Sequence, residues 1–141
     1  ILRYESHAKE KSMLNTSPVF AWYVAGLVFK WLLDQGGLKT IGEINKEKAK
    51  QLYEYIDNST IYSNPVNKQY RSWMNIPFII ENDSLTENFL SEASKEGLKN
   101  LKGHRTVGGM RASMYNAMPI EGVKKLIDFM DFFQSRNLNN V

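Results

Sequence analysis

The sequence predicts an α/β or α+β chain, with helices covering one face of a small sheet. Three observations predict it. Four stretches carry apolar residues at helical spacing, three short runs are rich in β-favouring residues, and their order is helix-helix-strand-strand-helix-strand-helix. The 141 residues suit one domain or a large piece of one, and 43% apolar content excludes a disordered chain.

Residues 1–17 show no clear period and end in SMLNTSP, small polar residues and a proline typical of a loop. A helix follows from about Pro18 to Asp34. Proline suits its first turn, because the lost N–H had no helical partner there. The stretch is apolar on almost every side, so Trp22, Tyr23, Phe29 and Trp31 are expected to be buried. Lys30 interrupts it and Gly36-Gly37 closes it, leaving it short of the roughly 20 apolar residues of a membrane span.

A second helix is expected from about Thr40 to Asp57. Ile41, Ile44, Leu52 and Ile56 would face inward, and Glu43, Lys46, Glu47 and Lys50 would stay wet. Lys46, Lys48 and Lys50 read most simply as a solvated charge run. STIYSNP and RSWMNIPFII are strand candidates, with Pro77 suggesting an edge position or a bulge. Asp83 or Ser84 can cap a helix over about Leu85 to Leu98. Leu101 and GGMRAS are further short strand candidates. The last helix opens near Pro119, with Val123, Leu126, Ile127, Met130 and Phe133 as its inward stripe.

Composition narrows the chemistry. The absence of cysteine removes disulfides and thiolate metal sites. Eighteen basic against fifteen acidic residues give +3, too mild for nucleic acid unless one face concentrates the charge. No His/Asp/Glu cluster has metal-ligand spacing, and neither a phosphate-binding P-loop nor a G-x-S-x-G turn occurs. A chain that opens on Ile1 with ILRYESHAKEK is expected to be a piece of a longer one.

The stretch GHRTVGGMRASMYNAMP carries the most information. Arginine offers a planar fork of donors to carboxylate or phosphate and keeps its charge at neutral pH. Gly108 and Gly109 allow backbone approaches that a side chain would block. His104, Arg105 and Arg111 could therefore converge on an anion, or the segment could be a glycine turn with two surface arginines. SMLNTSP is double in the same way: Ser12, Asn15 and Thr16 can hydrogen-bond a phosphate ahead of the helix, or Asn15 and Thr16 merely shape the turn or cap the helix.

Taken together, SMLNTSP, FAWYVAGLVFKWLLDQGGL, RSWMNIPF and GHRTVGGMRASMYNAMPIEGVKKLIDFM resemble the C-terminal portion of the phosphoserine aminotransferase family. This is a class-V, fold-type-I family dependent on pyridoxal 5'-phosphate (PLP). The segments occur in the family's order and cover nearly all of the chain. One departure is NTSPV, with Ser17 and Val19, where the family has NTPPT.

The resemblance implies an α/β fold: a small C-terminal domain with a helix-covered sheet, preceded by a long buried helix that links to a large domain. It divides the chain into 1–17, the end of the cofactor-binding domain with a phosphate-contacting loop; 18–58, linking helices; and 59–141, the small domain. The implied activity moves an amino group between L-glutamate and 3-phosphohydroxypyruvate, giving phosphoserine and 2-oxoglutarate. Serine biosynthesis, and in many bacteria pyridoxine biosynthesis, would be served, in the cytoplasm and by a homodimer. Asn15 and Thr16 would bind the PLP phosphate of the partner subunit, Arg111 the substrate α-carboxylate, and His104 and Arg105 the substrate phosphate or the glutamate side-chain carboxylate. The Schiff-base lysine would lie upstream, so this chain supplies no catalytic residue and is expected to be inactive alone. The competing expectations are a stand-alone anion-binding or regulatory module and a basic nucleic-acid-binding domain; neither metal nor membrane is expected.

Overall fold

Three strands make one antiparallel sheet in the order β1-β2-β3: β1 (Tyr62–Ser63), β2 (Asn75–Ile80) and β3 (Met110–Ser113). The computed structural model describes residues 2–137. Ile1 and residues 138–141, which fall in the first and last expected segments, lie outside the described residues.

The chain divides into two units, meeting between Thr40 and Ile41. The first holds α1 (Tyr4–Lys9), α2 (Val19–Asp34) and the opening of α3 (Gly37–Asn58). Gly36, and Gly37 at the first position of α3, turn the chain between the two helices with φ of 94° and 77°, a region that L side chains rarely adopt. The expectation of a buried helix is corrected here: α2 has no buried residue. Trp22 is 60% exposed and Phe29 63%. The reason is physical. A helix apolar all round needs neighbours on more than one side, and the first unit has no layer to provide them.

In the second unit the sheet divides polar from apolar by simple alternation. Ile76, Phe78 and Ile80 of β2, with Met110 and Ala112 of β3, point into the core. There they meet Leu52 and Ile56 of α3, Phe89 of α4 (Asp83–Lys95), and Met130 and Phe133 of α5 (Ile120–Asn137). Phe89 is central: the rings of Tyr62, Phe78, Phe129 and Phe133 all lie within 6 Å of it, edge-on. Phe129 is a buried member of α5 that the expected stripe omits.

Two details depart from expectation. The cap of α4 is Asn82, whose Oδ1 accepts from the backbone N–H of Ser84 and Leu85. And Pro77 lies in the central strand, not at an edge. Arg111, opposite Pro77, turns its N–H to the Leu101 carbonyl at 2.7 Å, away from β2. The pair exchanges no hydrogen bonds, and the Pro77 nitrogen faces the β1 side. There β1 pairs only with Ile79 and Ile80 and stops short of Pro77. The missing N–H therefore leaves no ladder partner wanting, and Asn64 Nδ2 donates to the Pro77 carbonyl at 2.5 Å.

Lys48 corrects a second expectation. It is fully buried, not part of a solvated run. Its position follows from spacing: Ile41, Asn45, Lys48 and Leu52 are four, three and four residues apart, one face of α3. Ile44, expected inward, lies off that face and is 43% exposed. Lys48 Nζ donates to the carbonyls of Tyr115 and Met118 at 3.0 and 2.9 Å, and Asn45 Nδ2 to Asn116 Oδ1 at 2.8 Å. Three hydrogen bonds from α3 thus clamp the turn that follows β3.

Burial lowers the Lys48 ammonium from its ordinary 10.5. In the window just below 10.5 the unfolded chain binds the proton more tightly than the native one, so stability rises with pH there. Losing the proton does not break the clamp, because a neutral amine keeps two hydrogens for its two carbonyls. Lys48→Met leaves the Met118 carbonyl without its donor and the Tyr115 carbonyl with the Met118 N–H alone, at 2.9 Å, and is expected to cost about 2 kcal/mol near neutrality. The gap to the parent should widen toward pH 10 in urea unfolding. A gap that narrows as pH rises would contradict the buried, carbonyl-bound amine.

Candidate functional site

The face of the sheet opposite the core forms the floor of a cleft of about 370 Å3. Pro77 and Asn75 of β2 and Arg111 of β3 reach it from the floor, and His104, Val107 and Gly108 from one side. Tyr53, Val66 and Tyr70 close the other side. The lining is largely apolar with a few polar groups, the usual makeup of a small-molecule site.

The His104 side is a tight loop. Gly103 N–H donates to the Gly109 carbonyl at 2.9 Å, and Lys102 bridges to Met110, so residues 101–103 run antiparallel beside β3. The expected strand at Leu101 is thus a single bridge. Between these arms, Val107 and Gly108 both donate to the His104 carbonyl, at 2.9 and 2.7 Å. His104 Nδ1 accepts from the Thr106 N–H at 3.2 Å. That assigns the proton of the neutral ring to Nε2, leaving Nε2–H as a donor for a ligand.

The opposite wall is held by an ion pair. Arg71 donates from both terminal nitrogens to the two Asp57 oxygens, each at 2.7 Å, and lies 4.6 Å over the Tyr53 ring. Arg71, with Lys68 adding to it, keeps the Asp57 carboxyl below the usual carboxylate range, against the opposing effect of burial. Tyr53 in turn donates from its hydroxyl to the Ser72 carbonyl at 2.9 Å. Residues 66–72 are therefore fastened to α3 as a fixed wall.

Of the expected substrate residues, His104 and Arg111 share this cleft, and Arg105 does not line it. Arg105 stands exposed on the turn after His104. Among the described residues neither Arg105 nor Arg111 has an acidic side-chain partner. An arginine fork in a cleft without a carboxylate is free to take an anion from solution.

Asn15 and Thr16 belong to the first unit, exposed in the loop before α2. The capping alternative is excluded, since Pro18 opens α2 with no side-chain cap hydrogen bond. Among the described residues the Asn15 amide and Thr16 hydroxyl have no hydrogen-bond partner, and they stand just ahead of a helix N terminus, a donor set that fits a phosphate. Among the described residues no cluster of His, Asp and Glu could hold a metal, and no helix is long and apolar enough to cross a membrane.

Sequence reasoning missed Asn75, Tyr53 and Tyr70 in this cleft. The β2 alternation offered a signal for Asn75, as the polar residue that precedes the inward Ile76. Tyr53 and Tyr70 gave none, because only folding brings α3 and the 66–72 segment to the same rim.

The model of the class-V aminotransferase family matches residues 1–126. The phosphoserine aminotransferase of Acinetobacter baumannii (strain ACICU) is 55% identical over 137 residues, 97% of this chain and 38% of that protein. That of Coxiella burnetii (strain RSA 331) is 54% identical over 136 residues, 96% of this chain and 38% of its own. Among solved structures, a phosphoserine aminotransferase from Bacillus circulans subsp. alkalophilus superposes with a TM-score of 0.89 at 40% identity, covering 96% of this chain and 38% of that one. A PLP-bound phosphoserine aminotransferase from Trichomonas vaginalis gives 0.82 at 40% identity, over 91% of this chain and 37% of that one. The chain spans 38% of the length of the curated relatives it matches.

Proposed function

The chain belongs to the class-V aminotransferase family, and we propose that it forms the substrate-anion portion of a phosphoserine aminotransferase. In this reading it serves amino transfer between L-glutamate and 3-phosphohydroxypyruvate, yielding phosphoserine and 2-oxoglutarate. One observation carries the reading: Arg111, without an acidic partner, and His104, with Nε2–H left to donate, line one cleft. Both substrates are acidic at two places, and the cleft offers donors at two places.

Arg111 grips the α-carboxylate with its fork, which fixes the orientation of the α-carbon. His104 Nε2–H binds the far anion, phosphate or side-chain carboxylate, and Arg105, exposed on the same turn outside the cleft lining, adds positive charge beside it and would have to swing in to touch it. The apolar lining from Pro77, Val107 and Val66 excludes water and strengthens both contacts. Asn15 and Thr16 hold the phosphate of pyridoxal 5'-phosphate, that of the partner subunit in a homodimer. When bound, the cofactor supplies the electron sink for amino transfer. The lysine that anchors it belongs to a part of the enzyme outside this chain. Serine biosynthesis in the cytoplasm is the role that fits these substrates, with pyridoxine biosynthesis as a second use of the same chemistry.

The test joins this chain to the portion of the Acinetobacter baumannii relative that it does not cover. The fusion, with PLP, glutamate and 3-phosphohydroxypyruvate, is expected to form 2-oxoglutarate, while the chain alone forms none. Anion binding by the fusion without turnover would favour a regulatory module instead. Turnover by the chain alone would show that no outside lysine is required.

A further inference from the structure

On the cleft face of the sheet, one polar side chain next to Arg111 has no role yet. Asn75 stands opposite Ser113 in the β2–β3 ladder, two residues from Pro77, which stands opposite Arg111. Asn75 and Arg111 are therefore diagonal neighbours on one face, about 7–8 Å apart, within reach of a single small ligand. Both line the same cleft.

Its amide is oriented. Ser113 Oγ donates to Asn75 Oδ1 at 3.1 Å, which engages the oxygen and directs the nitrogen elsewhere. The Tyr115 hydroxyl is the other polar neighbour, at 3.5 Å from both Oδ1 and Nδ2, the long limit of a hydrogen bond. Among the described residues Asn75 Nδ2 has only the long contact to the Tyr115 hydroxyl, which leaves at least one of its two N–H groups for a ligand in the cleft that Asn75 lines. Tyr115 is itself fixed through its carbonyl by Lys48 at 3.0 Å, so the row Tyr115–Asn75–Ser113 is anchored to α3.

We propose that Asn75 is a further ligand-binding residue, whose Nδ2 donates to the carboxylate that Arg111 grips. A carboxylate offers about four lone-pair positions and the arginine fork occupies two. A neutral amide fills a third without adding charge, and it favours a planar acceptor-only group over an amide or alcohol, which would bring hydrogens against it. Discrimination for a carboxylate at this end of the cleft is thereby shared between a cation and an amide.

This inference rests on the aminotransferase reading for the identity of its ligand, so the test separates the two. Equilibrium binding of 2-oxoglutarate to the fusion is measured alongside turnover. Asn75→Asp keeps an oxygen for Ser113 but replaces the donor end with a negative oxygen, and is expected to weaken binding at least about tenfold. Asn75→Ala removes the donor without adding charge and is expected to lose about fivefold, which keeps the test open where the aspartate variant fails to fold. Ser113→Ala frees the amide to rotate, with a smaller expected loss of about threefold. If turnover is absent but binding falls in this order, the aminotransferase reading fails and the Asn75 assignment stands. If both Asn75 variants bind within twofold of the parent while Arg111→Lys does not, the Asn75 assignment is overturned. Absence of 2-oxoglutarate binding by the parent overturns both.

Discussion

Arg111→Lys is expected to weaken the binding of glutamate and 2-oxoglutarate by about 2–3 kcal/mol, some 30- to 150-fold, in the active fusion. The fork is lost and a single point charge replaces two parallel N–H donors. The backbone supports the claim. Arg111 sits mid-strand, its N–H tied to Leu101 at 2.7 Å and its neighbour across the ladder is a proline without an N–H. The guanidinium has a fixed base and, among the described residues, no competing carboxylate. Thermal stability should hardly change, because among the described residues this side chain makes no ion pair or hydrogen bond. Near-normal substrate affinity in the lysine variant would remove Arg111 from the role. A large fall in melting temperature would show that it is structural instead.

Gly103→Ala should have the larger effect on the fold. A β-carbon at Gly103 would run into the backbone carbonyl of Gly108, across the neck of the His104 loop. Neither side of that contact can swing away as a flexible side chain could. Gly109→Ala is nearly as severe: with φ of 62°, its β-carbon would lie 2.7 Å from Ile79 Cγ2 and 2.9 Å from the Phe78 carbonyl. Each is expected to cost about 3 kcal/mol or more. Gly108 supplies the contrast. Its φ is 79°, but nothing lies within 4 Å of an added β-carbon, so Gly108→Ala should cost only the left-handed penalty of about 1–2 kcal/mol. Urea unfolding of the three variants reads the order directly. Equal costs at Gly103 and Gly108 would contradict the close approach. The first two variants should also lose anion binding, because His104 is carried on the loop they open.

These glycines explain why GHRTVGGMRAS was informative as a string. Its glycines and arginine act within eleven residues, so their spacing records a local geometry. The helices were legible for the same reason. Val123, Leu126, Met130 and Phe133 all face the core, as their spacing implies, since a helical face repeats within a few residues. Expectation failed where a residue's surroundings come from far along the chain. Lys48 looked like one of three solvated lysines. Its partners, Tyr115 and Met118, are 67 and 70 residues away. Pro77 argued for an edge position or a bulge, and only the early end of β1 makes a central position harmless.

The sequence by itself determined the four longer helices and the three strands, though not α1, together with the glycine-framed loop with its arginines and the resemblance to a family. All of these rest on short-range periodicity and on motif order. Only the tertiary structure decided that His104 and Arg111 share a cleft that Arg105 does not line, that Asn75 stands diagonal to Arg111, and that α2 lies uncovered within its unit. Strand register and burial are set by contacts between distant segments. A one-residue slip of β3 would send Arg111 to the core face, and a slip of β2 would do the same to Asn75, without altering the sequence pattern of either strand.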